Sequence, residues 1–144
     1  MKYAGVIARF ANRISNELPP IIYGDGNQTR DFISVEDVTR SIIMAAGIDI
    51  KHEKTKGTLR NDEISNREWL NVFNVGTGVP TTISQLANHM IELMAPHLHS
   101  LEPIYEDRLE GEIHDSRADT TRSSLVLGFN NKDDLRSGLA RMFG

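Results

Sequence analysis

The sequence predicts an α/β fold, of the small mixed α+β kind, on three observations. Apolar residues recur every three or four positions in several segments, which indicates amphipathic helices. Short runs of β-branched and aromatic residues alternate with those helices and break at glycine-containing turns. The predicted strands are few and short compared with the predicted helices. A parallel sheet needs helices on both of its faces, so this imbalance is what part of a larger sheet would show. We therefore expect the chain to form part of a larger sheet.

Composition and charge are those of an ordinary single domain, and we expect one domain over residues 1–144. Of these residues, 39% are hydrophobic and 25% are charged, with a net charge of −4. This acidic balance argues against general nucleic-acid binding, which needs a basic face. No apolar run approaches the roughly 20 residues that cross a bilayer, and the chain has no cysteine for disulfide or thiolate chemistry. We expect a cytoplasmic protein with no nucleic-acid or membrane partner.

The first predicted elements are a helix and two strands. Periodic apolar residues predict an amphipathic helix over residues 3–18. Pro19 and Pro20 end it, because proline removes a backbone donor and clashes with the preceding turn. A short strand is predicted at residues 21–23 and a second at residues 32–35, with a turn rich in Gly, Asp and Asn between them.

The second predicted helix begins at a capping box. Ser34 precedes Asp37 by three residues, which is the spacing of a side-chain cap at a helix start. We interpret Asp37 as part of this cap rather than as a catalytic acid. The residues predicted to face inward on this helix are Val38, Ile42, Ala45 and Ala46.

The second half of the chain opens with a polar segment. Residues 48–68 lack a clear period and are predicted as a mobile loop insertion. Strands are predicted at residues 72–75 and 103–105. Thr82 and Gln85 form a capping box at the start of a further helix, and Gly128 is a predicted left-handed helix end.

Arg30 is the first candidate for binding chemistry. It lies between the glycine-containing turn and the second predicted strand. A guanidinium has five donors in a planar fork that matches phosphate oxygens, so Arg30 could clamp a diphosphate. The residues alone leave open a solvent-exposed arginine paired with Asp31 or Asp25.

Three segments resemble, in order, one family of enzymes. Residues 23–38 contain an aromatic-Gly pair, then Arg-Asp-aromatic, then an Asp-capped helix. Residues 73–78 contain a predicted strand and a Gly-x-Gly turn, and residues 108–112 have the sequence Arg-Leu-Glu-Gly-Glu. This order is similar to the substrate-binding portion of extended short-chain dehydrogenases/reductases, the NAD-dependent epimerases and dehydratases of sugar nucleotides. It most resembles the UDP-glucose 4-epimerase group.

The resemblance implies a set of substrate-binding residues. Arg30 and Arg108 would contact the nucleotide phosphates, and Glu112 would accept the ribose hydroxyls with its two oxygens. Ile21 and Tyr23 would line the base pocket, where an aromatic ring can pack against a pyrimidine.

One alternative to this set stays open. The spacing from Arg108 to the glycine is one residue longer than the commonest family form, so Arg117 is an alternative phosphate ligand.

The resemblance also implies a cofactor, NAD, which supplies the hydride chemistry of the complete enzyme. The family's catalytic Tyr-x-x-x-Lys pair and dinucleotide fingerprint do not occur in this sequence. We expect them upstream, in a Rossmann cofactor domain that is largely absent here. Gly76 and Gly78 are interpreted as turn geometry. We therefore expect no catalytic residue, no metal site and no NAD binding by this chain alone.

The expected partners are a UDP-sugar or related sugar nucleotide and the missing Rossmann domain or a partner chain. A homo-oligomer is a further expectation, because an isolated copy should expose apolar surface. Two alternatives remain for the function. The chain could belong to a sugar-nucleotide dehydratase or reductase, or it could be a stand-alone binding or assembly module without catalysis.

Overall fold

A computed structural model describes residues 5–47 and 72–144, and the predicted loop insertion at residues 48–68 lies outside the described residues. Helices and strands alternate, which confirms the predicted α/β class. The helices are α1 (Val6–Ile14), α2 (Val35–Ala45), α3 (Ile83–Met94), α4 (Thr121–Leu127) and α5 (Leu135–Phe143). The strands are β1 (Ile21–Tyr23), β2 (Thr29–Arg30), β3 (Thr81–Thr82) and β4 (Ile104–Glu106). No helix in the described ranges is long and apolar enough to cross a membrane.

The described residues form two compact units. Unit 1 comprises residues 5–30, 80–116 and 135–144, and unit 2 comprises residues 31–47, 72–79 and 117–134.

Helix α3 is the centre of unit 1. Its side chains Leu86, Ala87 and Met90 are fully buried, and it packs against both α1 and α5. The predicted capping box at its start is confirmed: Thr82 accepts from the Gln85 backbone N–H, and the Gln85 side chain accepts from the Thr82 backbone N–H. Satisfying these end groups fixes where α3 begins.

Two short strand pairs complete unit 1. Strand β1 runs parallel to β4, with Ile22 opposite Tyr105, so the predicted strand at residues 103–105 is confirmed with a shift of one residue. Strand β2 pairs antiparallel with β3, with Thr29 opposite Thr82. The predicted strand at residues 32–35 is wrong. Its last residue, Val35, already begins α2, and Ser34 is the N-cap whose hydroxyl accepts from the Asp37 N–H.

The inward face of α2 is polar where an apolar one was predicted. On α2 the buried residues are Asp37 and Ser41, whereas Ile42 is 63% exposed and Ala45 and Ala46 are also exposed. The predicted inward face is therefore wrong for those three residues. The physical reason is the buried Asp37 carboxylate, which bonds to a distant loop and sets which side of the helix faces inward.

Two further local predictions concern unit 2. Gly128 ends α4 in the left-handed region at φ 69°, as predicted from its residue type. The predicted strand at residues 72–75 is wrong, because these residues form no strand within the described part of the chain.

Candidate functional site

The turn after β1 is held by its own side chains. Asp25 accepts hydrogen bonds from the Asn27 backbone N–H and side-chain amide, both at 2.9 Å, and these bonds lower the pKa of Asp25. The buried Gln28 donates to the Tyr23 carbonyl oxygen at 2.6 Å. Gly24 and Gly26 adopt φ values of 82° and 77°, which favour glycine. This rigid turn fixes Tyr23 at its start and Arg30 shortly after its end.

Arg30 meets an acidic side chain 82 residues further along the chain. Its Nη2 lies 3.5 Å from Oε1 of Glu112, and the two side chains are only 27% and 21% exposed. Its Nη1 donates to the Thr29 carbonyl oxygen at 2.7 Å. The backbone contact holds the guanidinium in place, while the long contact to Glu112 is at the limit of a hydrogen bond.

The segment that carries Glu112 is attached to β2 by backbone bonds. Thr29 N–H donates to the His114 carbonyl oxygen at 2.8 Å, and Ser116 N–H donates to the Thr29 carbonyl oxygen at 3.2 Å. The Thr29 hydroxyl also donates to Asp115, and bonds from His114 and Thr29 lower the pKa of that carboxyl group. These contacts explain how a loop so distant in sequence delivers Glu112 to Arg30.

Arg108 joins the same cluster. Its Nη2 donates to the Glu112 carbonyl oxygen at 3.2 Å. Its Cβ and Cγ lie 3.7 Å from the point where a side chain on Gly24 would begin. Arg108 therefore lies between the turn and the Glu112 loop, while the alternative ligand, Arg117, belongs to unit 2.

Glu112 has an oxygen without a partner. Its Oε2 is buried and has no hydrogen-bond partner among the described residues. A buried carboxylate oxygen left unpaired is costly, and native structures seldom leave one so. This oxygen is the clearest acceptor that the cluster offers to a bound molecule.

A cavity of about 230 Å³ lies beside the end of β1. Ile21 and Tyr23, both predicted from the sequence as base-pocket residues, line it. The residues that line the cavity are Arg9, Phe10, Asn12, Arg13, Ile21 and Tyr23. Unit 1 thus contains all five predicted substrate-binding residues: two at the cavity and three at the Arg30–Glu112–Arg108 cluster.

The comparisons with known proteins agree on one family. The family model described as the NAD dependent epimerase/dehydratase family matches residues 1–55, which include Tyr23 and Arg30. A putative UDP-glucose 4-epimerase of Methanocaldococcus jannaschii is 32% identical over 143 residues, which are 96% of this chain and 38% of that protein. A UDP-glucose 4-epimerase of Mycolicibacterium smegmatis is 32% identical over 139 residues, or 96% and 37% respectively.

A solved structure gives the same result. The crystal structure of UDP-glucose 4-epimerase from Thermotoga maritima with UDP-glucose is 30% identical, with a TM-score of 0.71, and the match covers 95% of this chain and 37% of that one. The chain is similar to members of the NAD-dependent epimerase/dehydratase family over nearly its whole length. The resemblance to extended short-chain dehydrogenases/reductases is confirmed, and the chain spans 38% of the length of the first curated relative.

The Gly-x-Gly turn of the chain holds a carboxylate of its own unit. Asp31 accepts from Thr77 N–H at 2.9 Å, from Gly78 N–H at 2.9 Å and from Ala118 N–H at 3.2 Å. Gly76 lies so close that an added Cβ would be 2.6 Å from Asp31 Oδ2. A dinucleotide cradle needs these amides for a pyrophosphate. NAD therefore does not fit this turn, whose glycines serve close packing and, at Gly78, a φ of 72°.

Asp31 is ionised more readily than an ordinary aspartate. Burial raises the pKa of Asp31. Hydrogen bonds from the Thr77 hydroxyl and from the Thr77, Gly78 and Ala118 amides lower it by more, so the net shift of the pKa is downward. Among residues 5–47 and 72–144, no cluster of three or more His, Asp or Glu side chains is placed to hold a metal ion.

Arg9 is a cavity residue that the sequence interpretation missed. Its Cζ lies 5.7 Å from the centroid of the Tyr23 ring, within the range of a cation–π contact. A signal was present in the sequence: Arg9, Asn12 and Arg13 have i, i+3, i+4 spacing, which places three polar side chains on one face of α1.

Proposed function

We propose that this chain is the nucleotide-sugar-binding part of an NAD-dependent UDP-sugar epimerase, of the UDP-glucose 4-epimerase type, and that it is not catalytic by itself. The observation that carries the proposal is the contact of Arg30 with Glu112, which leaves Glu112 Oε2 buried and without a partner among the described residues. The cluster places two guanidinium groups, those of Arg30 and Arg108, and one acceptor oxygen, Glu112 Oε2, in unit 1. Tyr23 begins the turn beside this cluster.

The cluster suits the polar half of a nucleoside diphosphate. Arg30 and Arg108 both contact Glu112, so two guanidinium groups lie close enough to share a diphosphate. The long 3.5 Å contact from Arg30 to Glu112 is weak, so a phosphate oxygen can replace it at low cost. Glu112 is then released from Arg30 and has two oxygens for the two ribose hydroxyls.

The cavity suits the base. Ile21 and Tyr23 give it an apolar and aromatic wall, against which a flat heteroaromatic ring can pack. Its 230 Å³ volume is below the roughly 300–1,000 Å³ of pockets that hold drug-sized molecules, so it fits one ring rather than a whole nucleotide.

Binding is the contribution that this chain makes to the reaction. In the complete enzyme NAD would accept and return a hydride at the sugar ring. The chain's own residues hold the nucleoside diphosphate, and the correct placement of a reactant is itself worth a large part of a catalytic barrier. The similarity to a structure determined with UDP-glucose supports this assignment.

Titration of the ¹⁵N-labelled 144-residue chain with UDP-glucose tests the proposal by amide NMR. We expect dispersed signals, with shifts confined to the neighbourhoods of Tyr23, Arg30, Arg108 and Glu112. Arg30→Lys should weaken binding about tenfold or more, because a point charge replaces a planar fork with several donors. Arg136→Lys is the matched control: Arg136 is also in unit 1, but its ion pair with Glu92 is exposed.

Two results would contradict the proposal. If UDP-glucose moves no signal of the folded chain, or if the signals are broad and collapsed, the chain does not carry a nucleotide-sugar site of its own. If Arg30→Lys binds as tightly as the wild type, Arg30 does not hold the phosphates.

A further inference from the structure

Two arginines line the cavity beside β1, and they differ in how their donors are used. Arg13 donates from Nε to the Pro19 carbonyl oxygen, so it ties the end of α1 to the chain that follows. Arg9 Nε is buried and has no hydrogen-bond partner among the described residues. Since a buried donor without an acceptor is destabilising, this N–H, which belongs to a residue that lines the cavity, is a donor left for a ligand to satisfy.

The position of Arg9 is fixed without the use of that donor. Its guanidinium carbon lies over the Tyr23 ring, and a cation–π contact does not consume an N–H group. Tyr23 is in turn held by the bond from Gln28 to its carbonyl oxygen. The fully buried Phe10 also lines the cavity. The cavity therefore combines aromatic and apolar walls with a preplaced, donor-only group.

That combination selects a flat ring with a carbonyl group at its edge. A guanidinium has no acceptor, so it pairs with a carbonyl oxygen and repels an amino group. Uracil and thymine carry an oxygen at position 4 of the ring, whereas cytosine carries an amino group there. When position 4 of the ring faces Arg9, this one substituent decides whether the buried N–H is satisfied or opposed.

We propose that Arg9 determines base specificity: its Nε–H donates to the 4-carbonyl oxygen of a uracil or thymine ring in this cavity and disfavours cytosine. The inference rests on the proposed nucleotide-sugar function and adds to it the residue that selects the base. It concerns a different side chain from those that hold the phosphates and ribose, so the two can be tested separately.

Titration of the labelled chain with UDP and with CDP, while the arginine Nε–Hε signals are recorded, tests the inference. Arg9→Lys assigns the Arg9 signal by its loss. We expect UDP to shift this signal and CDP to leave it nearly unmoved, with UDP bound about tenfold or more tightly than CDP. Arg9→Met should weaken UDP binding about tenfold and bring the UDP-to-CDP ratio towards one. Arg136→Met, which removes an exposed arginine from the same unit, should leave the ratio unchanged.

The outcomes separate this inference from the function on which it rests. If UDP does not bind, or binds independently of Arg30, the proposed function fails and the inference fails with it. If UDP binds through Arg30 but the Arg9 signal does not move, or Arg9→Met keeps the wild-type ratio, only the role of Arg9 is overturned. The shift is measured on the wild-type chain, whose Arg9 Nε signal can also be assigned through its backbone signals, so a poorly folded variant does not obscure the result.

Discussion

Two carboxylates of this chain each pair with an arginine, but their remaining hydrogen-bonding capacity differs. In unit 2, Asp37 contacts Arg40 at 2.5 Å and also accepts from the backbone N–H groups of Lys132 and Asp133. It is 2% exposed. In unit 1, Glu112 contacts Arg30 at 3.5 Å, and its second oxygen is buried without a partner among the described residues.

This difference distinguishes a structural ion pair from the pair that we propose binds a ligand. The oxygens of Asp37 are used by its own chain, so a ligand would have to displace backbone donors to reach them. Glu112 loses only one long contact when Arg30 moves to a phosphate. The charges at the two sites are alike, and Asp37 is the more deeply buried carboxylate, yet the unsatisfied oxygen belongs to Glu112. The variants below should therefore change stability at Asp37 and affinity at Glu112.

Asp37→Ala should give the largest effect. The change leaves Arg40 without its carboxylate and removes the acceptor of the Lys132 and Asp133 N–H groups. Breaking a buried ion pair by removing one partner costs about 3–5 kcal/mol. We expect the free energy of unfolding to fall by about 3 kcal/mol in guanidinium denaturation followed by circular dichroism. Glu110→Ala, at an exposed position, is the control and should change it by less than about 0.5 kcal/mol. A loss at Asp37 no larger than in that control would show that the ion pair is not structural.

Asp31→Asn should give the next largest effect, and one that depends on pH. The carboxylate accepts four hydrogen bonds, and hydrogen bonds to charged groups contribute about 1.5–3 kcal/mol. Because the folded-state pKa of Asp31 lies below its unfolded value of about 3.9, its contribution is present above that value. It is lost as the pH falls through the folded-state pKa.

The pH dependence of stability checks this assignment. We expect the wild type to exceed Asp31→Asn in the free energy of unfolding at pH 7, with the gap closing as the pH falls below about 4. The difference between the two curves isolates Asp31 from the other carboxyl groups. A gap that stays constant from pH 7 to pH 3 would contradict an ionised, bonded Asp31.

The features that could be predicted from the sequence are those set by local chemistry. Ser34 and Thr82 begin helices and Gly128 ends one, because each acts on backbone groups within a few residues of itself. The strand predicted at residues 32–35 failed because β propensity does not specify a pairing partner. The Thr29–Thr82 register is set by contacts more than fifty residues apart in the chain.

The candidate site likewise combines residues that the sequence pointed to with contacts that only the fold shows. The resemblance to a family pointed to Arg30, Arg108 and Glu112, but neither their spacing nor their charge shows that a Thr29-anchored loop brings them together. Arg9 was missed because its interaction with Tyr23 crosses from a helix to a strand. Likewise, no local pattern shows that an apolar-looking helix turns Asp37 rather than Ile42 inward.

Glu112→Gln should have the smallest effect on stability and a clear effect on binding. Since Oε2 has no partner among the residues that the structure describes, losing the negative charge should change the free energy of unfolding by less than about 0.5 kcal/mol. Affinity for UDP should fall about tenfold, because an amide offers one acceptor oxygen where the carboxylate offers two.

Calorimetric titration with UDP and with 2′-deoxy-UDP locates the lost interaction. If Glu112 accepts both ribose hydroxyls, the variant should lose less affinity for the deoxy ligand than for UDP. Glu110→Gln, an exposed residue of the same loop, should bind both ligands as the wild type does. Equal losses for the two ligands would place Glu112 away from the 2′-hydroxyl, and a large loss of stability would make it a structural carboxylate like Asp37.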